Sequence, residues 1–373
     1  MHKVTFFPLG NADCCRIDLH DGRKILFDYA NTRNPEDEKD KRCDLPVLLQ
    51  EDLDANKRDG YEVGAFTHLD DDHVCGAPSF FYLEHAEKYR VKERPKIHEL
   101  WVPAAALVEE GLVGDARVIR EEARYRFKAK KGIRVFSRPD RLKEWMEKEK
   151  LRFDDYKHLI TDAGQLVPGW VKDADGVEFF VHSPFAERTD QGEVLERNDC
   201  SLVMQAWFLI DNREARLILS ADTTHDLWES IVKMTRIHKN ETRLVWDLFK
   251  LPHHCSYLSL SPEKGKEETT PTKSVAWLFE DQGQSGCTVV STSKPIPPDD
   301  ADDQPPHRQA ARYYRNKVTV PKNGEFKVTM EHPSISKPEP LVIKIDAYGT
   351  TIIKKIVSGG AALASRPAPR AGV

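Results

Sequence analysis

Cysteine is scarce and unpatterned in this chain. The 7 residues, Cys14, Cys15, Cys43, Cys75, Cys200, Cys255 and Cys287, are odd in number and contain no C-x-x-C spacing, so neither a disulfide framework nor a thiolate zinc ribbon is supported. Reduced thiols, several of them in the core, are expected. No stretch offers the roughly 20 continuous apolar residues of a membrane span. Neither sign of charge dominates: 56 Lys and Arg against 61 Asp and Glu leave a formal net charge of -5. A whole surface adapted to coat nucleic acid or membrane is thereby excluded, although a local basic patch is not. There is no repeat of fixed period. The opening residues, Met1 to Gly10, lack a long apolar core and a cleavage site and read as a first strand rather than an export signal, which makes the cytoplasm the expected location.

What is present suits a globular protein with a core: 373 residues, 39% hydrophobic and 31% charged, enough for one large α/β domain or two modest ones. Three short β-type runs, Val4 to Leu9, Cys14 to Leu19 and Lys24 to Tyr29, are separated by Gly10-Asn11-Ala12-Asp13 and His20-Asp21-Gly22 and predict a strand meander. A helix is predicted through Leu45 to Asn56, then an apolar strand from Tyr61 to Phe66. Further strands are predicted at Val177 to Val181, Ser201 to Ile210, Ala215 to Leu219, Leu244 to Leu251 and Cys287 to Ser291. Helices are predicted after Asp226, near Thr272 to Phe279 and after His307. Such alternation favours a layered α/β or αββα architecture. Residues 318–357 alternate apolar and polar in three stretches and predict a small C-terminal sheet; the Gly-, Ala- and Pro-rich tail 358–373 is expected to be disordered.

Residues 104–152 read as helical and densely charged. Between Arg117 and Lys143 eleven Lys or Arg stand against three acids, Glu121, Glu122 and Asp140. Clustered cations neutralise phosphates and interleaved rings such as Tyr125 and Phe127 can stack on unpaired bases. The alternative is a solvated helix face.

The chemistry-bearing segment is His68-Leu69-Asp70-Asp71-Asp72-His73, which puts two imidazoles and two alternating carboxylates directly after an apolar strand. Imidazole suits Zn and related first-row metals, and carboxylates extend the choice toward Mn. A single Asp here could simply cap a helix beginning near Val74; the four together point to metal binding.

Thr67-His68-Leu69-Asp70-Asp71-Asp72-His73 resembles the metallo-β-lactamase superfamily signature HxHxDH, in the variant with Asp replacing the second His. That variant is typical of the metallohydrolase domain of ComEC-type competence proteins and their stand-alone relatives. Further segments resemble the same subfamily in the same order over most of residues 1–315: Gly10-Asn11-Ala12-Asp13, Ile25-Leu26-Phe27-Asp28, Asn198-Asp199-Cys200-Ser201-Leu202-Val203, Leu219-Ser220-Ala221-Asp222, and Leu251-Pro252-His253-His254-Cys255-Ser256, where Cys255 replaces the expected glycine. The resemblance implies a four-layer αββα metallo-β-lactamase sandwich. Residues 1–317 would form the catalytic domain, with a charged helical insertion at about 104–152, followed by a C-terminal β extension over 318–357. It implies two divalent metal ions, Zn or Mn, held by His68, Asp70 and Asp222 on one side and by Asp72, His73, Asp222 and His253 on the other, with Asn198 beside the first. His254 is the alternative to His253; adjacent residues on an extended segment face opposite ways, and His254 otherwise remains a catalytic candidate with Asp72. His307, in Pro305-Pro306-His307-Arg308, resembles the family's late histidine element near the leaving group. His182 is read as a strand-end histidine outside the shell.

Hydrolysis follows from these residue types; the bond cleaved does not. The resemblance implies DNA degradation, and the basic segment supplies candidate substrate contacts at Arg117, Arg120, Arg124, Lys128, Lys130 and Lys131. A small-molecule phosphodiesterase, esterase or lactonase of the same fold, and a catalytically impaired metal-binding interaction module, are the competing readings.

Overall fold

A computed structural model describes residues 1–185 and 201–353. Seventeen strands are named in chain order: β1 (His2–Phe6), β2 (Cys15–Asp18), β3 (Lys24–Phe27), β4 (Gly60–Ala65), β5 (Lys96–Pro103), β6 (Ile133–Phe136), β7 (Ile160–Thr161), β8 (Val177–Ser183), β9 (Val203–Ile210), β10 (Arg213–Leu219), β11 (Trp246–Lys250), β12 (Gly283–Ser291), β13 (Glu325–Val328), β14 (Pro333–Ser334), β15 (Lys337–Pro338), β16 (Leu341–Asp346) and β17 (Gly349–Ile352). They form a nine-stranded sheet in the order β17-β16-β1-β2-β3-β4-β5-β6-β7, a six-stranded sheet in the order β13-β12-β11-β10-β9-β8, and a two-stranded ribbon, β14-β15.

Period-two burial places the two large sheets face to face. In β3, Ile25 and Phe27 join the apolar layer that also takes Phe179, Met204, Leu217 and Leu219 from the second sheet. Leu26, between them, points the other way, into a layer shared with Leu45, Leu49 and Leu53 of the helix Leu45–Ala55. Ile218 of β10 likewise turns outward to meet Leu227, Trp228 and Ile231 of the helix His225–Ile237. Helix, sheet, sheet and helix therefore stack as a four-layer αββα sandwich, each layer boundary sealed by its own apolar cluster. Among the described residues no helix is long and apolar enough to cross a membrane.

Two segments expected as additions prove to be parts of the sheets. Residues 104–152 contain β6, a parallel neighbour of β5, flanked by the helices Gly114–Ala129 and Asp140–Lys148. Ala116, Ile119, Ala123 and Phe127 repeat at helical spacing and bury against the sheet, so this is a crossover helix with a charged outer face rather than an insertion. Residues 318–352 complete both sheets: β13 pairs with β12, and β16 pairs with β1. The tail from residue 354 lies outside the described residues.

The sheet arrangement decides where chemistry can occur. Strands β3 and β4 are parallel, as are β10, β11 and β12, so the loops that follow them leave from one edge of the sandwich. Those loops carry Asp28, His68 to His73, Asp222, His253 to Cys255, and Thr292.

Candidate metal centre

The centre is assembled around His73, fully buried on the single helical turn Asp71–Val74. Its Nδ1 lies 2.9 Å from Asp28 Oδ2. Asp28 also accepts the Thr67 backbone N–H at 2.7 Å and the Thr67 hydroxyl at 2.9 Å. A carboxylate on Nδ1 fixes the ring orientation and directs Nε2 inward. That Nε2 stands 3.3 Å from Asp222 Oδ1, 3.6 Å from Asp13 Oδ2 and 3.8 Å from Asp72 Oδ2. His68 packs its ring against that of His73, centroids 3.8 Å apart, and its Nδ1 meets Thr67 Oγ1 at 3.2 Å.

Two overlapping sets of donors result, each with its ligating atoms within 4.8 Å of one another: Asp13, His73, Asp222 and His254, and His68, Asp72 and His73. Metal chemistry fits them on an observation independent of spacing. Asp13 Oδ1, His68 Nε2, His73 Nε2 and Asp222 Oδ1 are all buried without a hydrogen-bond partner. Isolated buried polar atoms are costly; four converging from three loops and a turn are accounted for by a cation. The mixed nitrogen and oxygen set suits Zn or Mn.

Charge in the centre is strongly coupled to position. Burial opposes charge on His73, but Asp28 and Asp222 outweigh it and raise its pKa well above 6.5. Burial likewise opposes charge on His254, and Asp72 and Asp222 raise it. His68, beside the charged His73, is lowered, first by burial and then by that neighbour. Burial pushes the carboxyl of Asp13 up, yet Lys250 and His73 hold it below its ordinary value. Asp72 and Asp222 are lowered against burial by His254 and His73.

The remaining expected residues fall in different places. The segment after β11 is not extended. His253, His254 and Cys255 all have positive φ, 47°, 52° and 68°, a left-handed turn that costs roughly 1–2 kcal/mol per residue for side chains other than glycine. The alternation used to prefer His253 therefore does not apply. His254, 3% exposed, enters the four-residue set; its Nδ1 meets the Thr292 carbonyl at 2.7 Å and its Nε2 meets Asp72 Oδ2 at 2.9 Å. His253 stands further out, with Nε2 3.9 Å from Asp222 Oδ2. Asp70 is at the rim, its Oδ2 3.5 Å from His68 Nε2. Asn198 lies outside the described residues.

His307 supports the turn from behind. Its Nδ1 accepts the Tyr257 N–H at 3.3 Å, its Nε2 donates to the Asp303 carbonyl at 3.0 Å, and its own N–H donates to Cys255 O at 3.1 Å. Both ring nitrogens are thus engaged by backbone. His182 is outside the centre, bonded through Nε2 to Arg243 O at 3.0 Å.

Nor does the basic segment line the centre. Asp115, at the start of the helix Gly114–Ala129, accepts the Gly76 N–H at 2.6 Å, so the first turn sits behind the His73 loop. Sixteen residues span roughly 24 Å at 1.5 Å each, which carries Lys128, Lys130 and Lys131 to the opposite edge. Arg120 is buried and bonds Glu109 O and Glu121. Arg124 bonds Leu107 O and Glu110, Lys128 pairs with Glu149, and Lys130 lies over the Tyr156 ring. Arg117 and Lys131 are exposed on the outer face. Helical periodicity uses these cations to cover and tether an outer layer.

Sequence reasoning assigned no role to Asp13, Asp28, Thr67 or Lys250. Lys250 carried a usable signal: the one cation inside the largely apolar run Leu244 to Leu251. It is 4% exposed and bridges Asp13 Oδ2 and Ser220 O at 2.5 and 2.8 Å.

No family model matches the chain, and no curated protein matches it. Similar solved structures include unliganded yeast PDE1, 11% identical, TM-score 0.43 over 88% of this chain and 96% of that one. They also include Zn(2+)-bound PqqB from Methylobacterium extorquens, 11% identical, TM-score 0.38 over 91% and 99%, and the class B3 di-zinc metallo-beta-lactamase LRA-12 from an Alaskan soil metagenome, 12% identical, TM-score 0.31 over 73% and 85%. At such identities and scores the reading of the centre rests on this chain's own residues.

Proposed function

We propose that this chain is a divalent-metal-dependent hydrolase of phosphodiesters, of the ComEC-like kind, with DNA as its substrate. The observation that carries the reading is the set of four unpartnered buried donor atoms facing one another around His73. Asp13, His73, Asp222 and His254, together with His68 and Asp72, would hold the metal. Bound divalent ions supply Lewis acidity: they lower the pKa of water toward neutrality and offset charge developing on phosphoryl oxygens.

The chain's own residues do the orienting. Asp28 keeps the His73 proton on Nδ1, and the Thr292 carbonyl does the same for His254, so both Nε2 atoms face inward. Asp72 is the most open of the clustered acids, its side chain 32% exposed, and its Oδ2, 2.9 Å from His254 Nε2, is the atom placed to orient water and take a proton from it. On the rim, a methyl group at Gly10 would lie 3.5 Å from Arg42 Cδ and 3.8 Å from Lys294 Cγ. Arg42 is held by Asp40, so the exposed Lys294 is the cation this turn offers to a substrate phosphate.

A small phosphodiester is the second reading, favoured by the internal pairing of Arg120, Arg124 and Lys128, which leaves the helix Gly114–Ala129 few cations for a polymer. Cleavage of labelled single- and double-stranded DNA and of a chromogenic phosphodiester, with Mn, Mg, Zn or chelator, distinguishes them. Wild type should cut DNA with metal and not with chelator, and Asp72→Ala and His73→Ala should abolish cutting. Turnover of the small ester alone transfers the assignment to the second reading; turnover of neither, with metal bound, refutes both.

A further inference from the structure

A permanent cation is built into the centre. Lys250 ends β11 and is buried, with Nζ held between Asp13 Oδ2 and the Ser220 carbonyl. Ser220 returns a hydrogen bond from its hydroxyl to Lys250 O, and the Asp13 N–H donates to Asp72 O at 2.9 Å. One ammonium thus ties the turn before β2, the loop after β10 and the metal-motif loop together from beneath. A lysine is retained in such a place only when paired, since its desolvation is costly.

Two consequences follow for metal. Asp13 Oδ2 lies between the ammonium, at 2.5 Å, and His73 Nε2, at 3.6 Å, while Oδ1 is buried without a partner. The carboxylates of Asp13, Asp28, Asp72 and Asp222 bring four negative charges to His73 and its neighbours, and Lys250 cancels one of them on the Asp13 side alone. The set of His68, Asp72 and His73 contains no ammonium contact among the described residues.

We infer that Lys250 is a positioning residue that makes the two metal positions unequal: it holds and neutralises Asp13 and weakens the ion held on that side. This rests on the metal-binding part of the reading above and on no particular substrate. A unit positive charge inside the centre opposes a divalent ion, so its removal tightens the weaker position by a factor on the order of ten or more.

Equilibrium dialysis and calorimetry with Zn and with Mn on the full chain test this. Wild type is expected to bind in two steps of unequal affinity. Lys250→Met and Lys250→Gln should both tighten the weaker step; Gln keeps a donor for Asp13 and so separates charge from hydrogen bonding. Should Lys250→Met fail to fold, Lys250→Gln and Asp13→Asn carry the test, the latter losing the weaker step and keeping the stronger. An unchanged or weakened second step in Lys250→Gln overturns the inference. Absence of metal binding in wild type overturns it together with the function; metal binding without hydrolysis overturns the function alone.

Discussion

Replacing Asp28 by asparagine probes how His73 is held. Asp28 sits at φ 57° directly after β3, a left-handed conformation that asparagine tolerates well, so the exchange adds little backbone strain. The carboxylate accepts three hydrogens: from Thr67 N at 2.7 Å, from Thr67 Oγ1 at 2.9 Å and from His73 Nδ1 at 2.9 Å. An amide can keep the Thr67 N–H through its Oδ1. Its Nδ2, however, brings hydrogens toward His73 Nδ1, so the imidazole must carry its proton on Nε2, the atom that faces Asp13, Asp72 and Asp222. A hydrogen bond to a charged group contributes about 1.5–3 kcal/mol, which sets the expected loss of stability in the metal-free protein. Losing the partner that orients a ligating histidine lowers metal affinity about 10- to 100-fold.

Calorimetric titration with Zn or Mn measures the affinity, and the histidine ring nitrogen shifts report the tautomer. Metal affinity within twofold of wild type, or a His73 still protonated on Nδ1, would refute the argument. Asp28→Ala separates the backbone from the side chain: it should lose a comparable metal affinity and unfold earlier still, because alanine in the left-handed region adds roughly 1 kcal/mol.

The remaining tests address charge, support and the outer helix. His73 and His254 have folded-state pKa values raised above 6.5. Their contribution to metal-free stability is therefore full below pH 6.5 and is lost as the pH climbs through the raised values. The melting temperature of chelated protein should fall from pH 6.5 upward, whereas added metal should bind more tightly over the same range as protons leave its ligands; a chelated protein that gains stability with pH contradicts this. His307→Ala removes the acceptor for Tyr257 N–H and the donor to Asp303 O, and should cost about 2–3 kcal/mol in denaturant unfolding with partial rescue by His307→Asn; wild-type stability would restore His307 as a candidate for chemistry. Arg120→Ala should cost about 1–3 kcal/mol, while Lys131→Ala should stay within about 0.5 kcal/mol and leave DNA affinity unchanged, as a filter-binding assay across salt concentrations can establish.

The layered fold and the metal motif were legible because each depends on local order. Period two in β3 and β10 sorts residues between layers, and His68 to His73 concentrates its donors within six positions. What escaped depended on conformation or on distance along the chain. Choosing between His253 and His254 required knowing that three consecutive residues adopt positive φ; an extended segment and a left-handed turn present the same pair differently, and Cys255 in place of glycine concealed the turn. Asp13 and Lys250 are 237 residues apart, and neither has a motif around it that names the other. The basic helix stands apart from the centre for a topological reason. Its charge density is real, but β5 and β6 are parallel, so the helix joining them must run away from the edge where their C-termini meet the metal loops. A cluster of cations indicates substrate only when topology returns it to the reacting edge, and the buried cation that topology does return, Lys250, lies in a largely apolar stretch of sequence.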